Sequence, residues 1–164
     1  MNRETVRALC QLNTEFYERN AASFSQTRTA PWEGWRRCMA ACGFDDSDEA
    51  LGQSMDTQIA DSVLDIACGN LRFEAFLANT YPHVDWSFFA VDNCEPLVAS
   101  GQEDIAKKVH FTCEDIVSNL LDGLSAAEPA NTPAFAAATP FDLVVSFGFL
   151  HHIPSFDLRQ QFLL

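Results

Sequence analysis

From Ser62 onward the chain alternates short apolar runs with helical stretches, and this alternation restricts the fold more than any other feature. The runs Val63 to Ile66, Trp86 to Val91, Val109 to Thr112 and Leu143 to Phe147 are short and almost wholly apolar, as strands buried on both faces are. Helices near Asn70 to Asn79 and Pro96 to Ser100 lie between them. Strands spaced by helices predict a parallel sheet covered on both sides. At 164 residues the chain is long enough for one such domain around a single core.

The residues before Ser62 follow a different pattern. Residues 3 to 20 carry Val6, Leu9, Cys10, Leu12, Phe16 and Tyr17 at mixed three and four spacing, which predicts an amphipathic helix followed by a Ser/Thr-rich loop. A second helix is expected from Pro31 and Trp32 to about Cys42, where Gly43 is a natural stop. Residues 44 to 61 are acidic without a single base, and residues 125 to 140 are rich in Ala and Pro; they predict an exposed connection and an irregular insertion. The expected division is a helical cap with its acidic connection over 1–61 and an α/β core over 62–164.

Charge and cysteine usage narrow the function classes. Of the net charge of −13, the first 40 residues contribute six arginines against four glutamates, so the rest of the chain is strongly acidic and has no basic face for a polyanion. No apolar run approaches the roughly 20 residues that cross a bilayer, and no signal-peptide pattern follows Met1. The expectation is a cytoplasmic protein without membrane contact. Its six cysteines are scattered through helices and strands and are expected to be reduced thiols; Cys38 and Cys42 are the one close pair and no second ligand pair with zinc spacing accompanies it, so no metal site is predicted.

The chemistry is concentrated in VLDIACGNLRF, Val63 to Phe73, where a strand ends in an acid and turns through small residues into a helix. In doubly wound sheets ligands sit outside the carboxyl ends of the strands, and small residues in the first turn let the backbone approach them. Asp65 would repel a pyrophosphate but suits a cationic amino-acid group. Twenty-three residues after Gly69, the strand FFAVDN ends in Asp92, whose carboxylate can accept from both hydroxyls of a ribose.

This segment resembles the first motif of class I S-adenosylmethionine-dependent methyltransferases, Asp-x-Gly-x-Gly-x-Gly. Asp65, Ala67, Gly69 and Leu71 occupy its four positions, so two of the three glycines are replaced and Leu71 places a side chain where the family usually has none. Three further segments match in order: FFAVDN with Asp92 as the ribose ligand and Asn93 beside it; VHFTCEDI, with Glu114, Asp115 and Ile116 at the adenine; and FDLVVSFGFLHHI, whose Ser146 and Phe147 lie beside the methyl donor.

The resemblance implies a Rossmann-like doubly wound parallel sheet of order 3-2-1-4 and S-adenosylmethionine as cofactor. Its amino-acid tail is expected on Asp65 and the backbone of Ala67, Cys68 and Gly69. A complete family sheet has seven strands against the four counted here, so the chain is expected to be C-terminally truncated and to self-associate through the uncovered edge of the fourth strand. Phe24-Ser25-x-Thr27-Arg28-x-x-Pro31-Trp32 is similar to the segment that precedes the core in tRNA wobble-uridine (carboxymethyluridine) methyltransferases. Tyr17, Arg28 and Trp32 are thereby implicated near the cofactor, Arg28 as a planar fork for a carboxylate.

His151 and His152 follow the fourth strand; packing or capping is their favoured role, with His151 the nearest candidate base for a hydroxyl or amine acceptor. Three functions remain open: methyl transfer to a small molecule, methyl transfer to tRNA with the help of a basic partner protein, and a non-catalytic cofactor-binding or scaffold role.

Overall fold

The computed structural model describes residues 1–44, 62–123 and 140–163. The expected acidic connection, apart from Phe44, which is buried and not exposed, and almost all of the Ala/Pro-rich insertion lie outside the described residues. The element order is α1 (Arg3–Gln26), α2 (Glu33–Ala41), β1 (Ser62–Ile66), α3 (Arg72–Thr80), β2 (Ser87–Asp92), α4 (Glu95–Ala99), α5 (Glu103–Ala106), β3 (Val109–Cys113), α6 (Ile116–Gly123), β4 (Leu143–Val145), a 3-10 turn at Leu150–His152 and α7 (Phe156–Phe162).

The four strands form one sheet of order β3-β2-β1-β4, parallel throughout. This is the Rossmann-like arrangement and the strand order expected from the sequence. The register sets Val63 beside Phe88 and Asp65 beside Ala90, so the carboxyl ends of β1 and β2 open at the same level. β4 is shorter than expected: it stops at Val145, and Gly148 at φ 73° turns the chain away in a region that favours glycine. Phe147 therefore leaves the strand and packs its ring against Trp35 and Phe73.

One face of the sheet meets α2 and α3. Val63 and Phe88 are buried with Trp35, Met39, Phe73, Phe76 and Leu77 in an aromatic-rich cluster. α2 ends as the sequence predicted, at Gly43 (φ 92°): Gly43 N–H donates to Ala40 O and Phe44 N–H to Met39 O, while the Met39 and Phe44 side chains join the same cluster. These are the paired hydrogen bonds and apolar contact of a Schellman motif, which fixes the direction of exit.

α1 is longer than its expected end near residue 20 and continues to Gln26. The Ser/Thr-rich segment does not break it because the hydroxyls bond back within the helix, Ser23 Oγ to Asn20 O and Thr27 Oγ1 to Phe24 O. The apolar stripe also persists: Val6 and Cys10 pack with Val117 and Leu121 of α6 and Leu158 of α7, whereas Ala21 packs with Cys94 and Leu97 at the start of α4. A single helix thus crosses from α6 and α7 to α4, over the carboxyl ends of the strands.

Candidate functional site

Those strand ends and α1 enclose a cleft of about 340 Å³, within the size range of small-molecule sites. Of the residues singled out from sequence, Asp65, Ala67, Cys68, Gly69, Asp92, Asn93, Glu114, Asp115, Ile116, Phe147, Tyr17, Arg28 and His151 all line it. Ser146 and Trp32 are not on its wall. Trp32 is 55% exposed and reaches the wall residues through its ring, 6.1 Å from that of Phe147, and through its carbonyl, which accepts from Trp35 N–H. The short β4 explains Ser146, whose hydroxyl is buried without a hydrogen-bond partner among the described residues.

The turn between β1 and α3 carries the most specific geometry. Ala67, Gly69 and Leu71 all have left-handed backbone, with φ of 65°, 59° and 58°. These are the three positions at which the resembled motif has glycine. The turn keeps its conformation although two of the glycines are gone, at a cost of about 1–2 kcal/mol for each side chain held there. Leu71 does not intrude on the cleft: it is almost completely buried among Ala75, Ala90, Val98 and Ile105, below the turn.

Asp92 closes the turn from the neighbouring strand. Its Oδ2 accepts from Gly69 N–H and its Oδ1 from Cys94 N–H, each at 2.9 Å. The carboxylate offers about four lone pairs in all, and with the Asn93 N–H also directed at it, acceptor capacity is left for a ribose hydroxyl. Burial pushes the Asp92 carboxyl above its ordinary range, while the backbone N–H groups of Gly69, Cys94 and Asn93 pull it back. Asn93 Nδ2 donates to Thr14 Oγ1 at 2.9 Å, tying the end of β2 to α1.

At the end of β3, Asp115 precedes α6 and caps it: Oδ1 accepts from Ser118 N–H at 3.0 Å and Oδ2 from the Ser118 hydroxyl at 2.8 Å. Asp115 therefore has a structural duty that the sequence reading did not assign. Glu114 N–H donates to Asp92 O at 3.1 Å, setting the acidic pair at the level of the β2 end.

The segment between α1 and α2 is fastened to the motif turn. Asn70 Nδ2 donates to Arg28 O at 3.2 Å and Arg72 Nη1 to Ala30 O at 3.0 Å. The Arg28 guanidinium lies 3.7 Å from the centroid of the Phe24 ring, and that of Arg72 lies 5.0 Å from Trp35. Across the cleft, the Tyr17 hydroxyl and His152 Nε2 are 3.1 Å apart, and the rings of His151 and His152 are 3.9 Å apart. Burial first and the His151 charge second push His152 below its ordinary value, which keeps it neutral at pH 7.

The sequence reading missed one acid. Glu74, in the first turn of α3, is fully buried and hydrogen-bonded to the Asp65 carboxyl; outside this acid pair, neither of its carboxyl oxygens nor Asp65 Oδ1 has a partner among the described residues. Burial raises Glu74 to about 7. Asp65 is raised well above its ordinary value, by burial first and then by the charges of Glu74 and Asp92. The signal available was a lone charge inside Phe73-Glu74-Ala75-Phe76-Leu77, a helix segment otherwise apolar.

No family model matches the chain, and no curated protein matches it. Among solved structures it is similar to two of the plantazolicin methyltransferase BpumL, in complex with a pentazolic or a triazolic desmethylPZN analog and SAH. Identity is 18% for the first and 17% for the second, with a TM-score of 0.46 for each. Each alignment covers 99% of this chain and 56% of the BpumL chain, so the present chain spans little more than half of that length.

Proposed function

We propose that this chain is the S-adenosylmethionine-binding part of a class I methyltransferase. The observation that carries this reading is the β1–α3 turn, whose three left-handed positions coincide with the motif glycines and whose Gly69 N–H is held by Asp92 at the end of the next strand. The donor set fits the cofactor. Asp65 lines the cleft with its Oδ1 free of any donor among the described residues and would take the ammonium of the amino-acid tail, and the acceptor capacity left on Asp92 would take a ribose hydroxyl. Glu114, Asp115 and Ile116 would flank the adenine, and Arg28 would meet a carboxylate.

Bound S-adenosylmethionine supplies an electrophilic methyl group on a sulfonium. The chain's own contribution is alignment and exclusion of water: α1 covers the strand ends, and Phe147 and Trp35 present apolar surface on the opposite wall. Neutral His152, oriented by Tyr17, and His151 beside it can hold a proton where the acceptor is a hydroxyl or amine. A carboxylate acceptor needs no base.

The acidic composition favours a small-molecule acceptor. A tRNA acceptor rests on the resemblance of the Phe24–Trp32 segment and on Arg28 lining the cleft; with a net charge of −13 it requires a basic partner protein. Incubating the chain with methyl-labelled S-adenosylmethionine and either metabolite extract or tRNA plus cell extract tests this reading. Label in a small-molecule fraction supports the first acceptor and label in tRNA the second; with label in neither, the non-catalytic role stands.

A further inference from the structure

We propose that Glu74 is a positioning residue that works through Asp65: the two carboxyls form one cation subsite that holds two protons when empty below neutral pH and releases one of them when an ammonium group docks. The inference rests on the cofactor reading above and assigns to it a residue that the resembled motif does not include.

The geometry carries it. Asp65 lines the cleft from the end of β1, and Glu74 stands off the wall on α3, fully buried. Asp65 and Glu74 share a side-chain hydrogen bond, which needs a proton between them, and beyond each other Asp65 Oδ1 and both Glu74 oxygens have no partner among the described residues; two buried carboxyls held only by one another are destabilising, and folding does not explain them. The groups that bear on the pair are themselves acidic or neutral: Asp92 from β2 and the Cys68 thiol from the turn, which is itself raised by burial first and then by Glu74, Asp65 and Asp92. Neither arginine near the turn bears on the pair: the Arg28 guanidinium lies over the Phe24 ring, and that of Arg72 lies over Trp35 and donates to Ala30 O.

Two ionised carboxyls cannot share so dry a site, so the empty pair retains protons to neutral pH. An ammonium against Asp65 supplies the missing charge. The complex is then neutral with Asp65 ionised and a proton left on Glu74, and the displaced proton goes to solvent. Glu74 titrates at about 7, so a ligand with an ammonium should bind more tightly as pH rises towards neutrality and level off above it.

The test compares S-adenosylhomocysteine with 5′-methylthioadenosine, which shares the nucleoside but lacks the amino-acid tail, by calorimetry on the full chain between pH 6 and 8. The expected result is an affinity for S-adenosylhomocysteine that rises about tenfold over this range with release of up to one proton, read from two buffers of different ionisation enthalpy. The 5′-methylthioadenosine affinity should stay flat. Glu74→Gln should displace the step from neutral pH while leaving 5′-methylthioadenosine binding as in wild type. Should that variant not fold, the contrast between the two ligands and the proton count in the wild type decide. Equal pH profiles for both ligands, or a step unchanged in Glu74→Gln, overturn the subsite and leave the cofactor reading intact. Absence of binding by either ligand at every pH overturns both.

Discussion

At the level of single residues, the motif turn shows two solutions to one backbone problem. Ala67 and Leu71 both hold left-handed φ that glycine adopts freely, yet restoring glycine should act in opposite directions. Ala67→Gly relieves the Cβ clash and loses little else, so we expect stabilisation of about 0.5–1 kcal/mol. Leu71→Gly relieves the same strain but empties a position packed by Ala75, Ala90, Val98 and Ile105. Its net cost should be about 2 kcal/mol or more, because a large-to-small change in a core usually costs about 2–5 kcal/mol. Denaturant unfolding of both variants checks the pair; a stabilised Leu71→Gly would mean that Leu71 is not anchoring the turn. The strain at Leu71 is thus offset by burial, which lets the turn survive without its third glycine.

At the level of elements, Asp115 combines a capping role with a position on the cleft wall. Asp115→Ala should destabilise the chain by about 1 kcal/mol through loss of the α6 cap, whereas Asp115→Asn should keep the cap. If Asp115 also accepts from the adenine, Asp115→Asn lowers cofactor affinity at unchanged stability; equal affinity would confine Asp115 to capping. The strands and the β1–α3 turn were legible because short apolar runs and small turn residues are local signals. The extent of α1 was not: Ala21 to Gln26 reads as a loop by composition, and only the hydroxyl back-bonds and the packing of Ala21 on Cys94 and Leu97 make it helix. The early end of β4 depends on the Gly148 turn and on where Phe147 finds aromatic partners, both tertiary facts. Glu74 escaped for the same reason, since a glutamate near a helix start reads as exposed until the fold buries it.

For the molecule as a whole, the buried acids set an unusual pH dependence. Glu74 moves from an ordinary 4.5 to about 7 on folding. The folded chain therefore binds the extra proton between these values; the stability it contributes is complete below about 4.5 and is lost as pH rises through about 7. Asp65 and Asp92 are raised too and act in the same sense, as does relief of self-repulsion in a chain of net charge −13. We expect a higher melting temperature at pH 5.5 than at pH 8, with a smaller difference in Glu74→Gln; an equal difference in that variant would assign the effect to net charge. The central claim is that the cleft at the ends of β1, β2 and β3 binds S-adenosylmethionine through Asp65 and Asp92. Titration calorimetry with S-adenosylhomocysteine on the wild type and on Asp92→Ala tests it most directly. Saturable binding is expected for the wild type, weakened by about 1.5–3 kcal/mol in the variant, the scale of hydrogen bonds to a charged group; no saturable binding, or the same affinity in both proteins, would exclude this site.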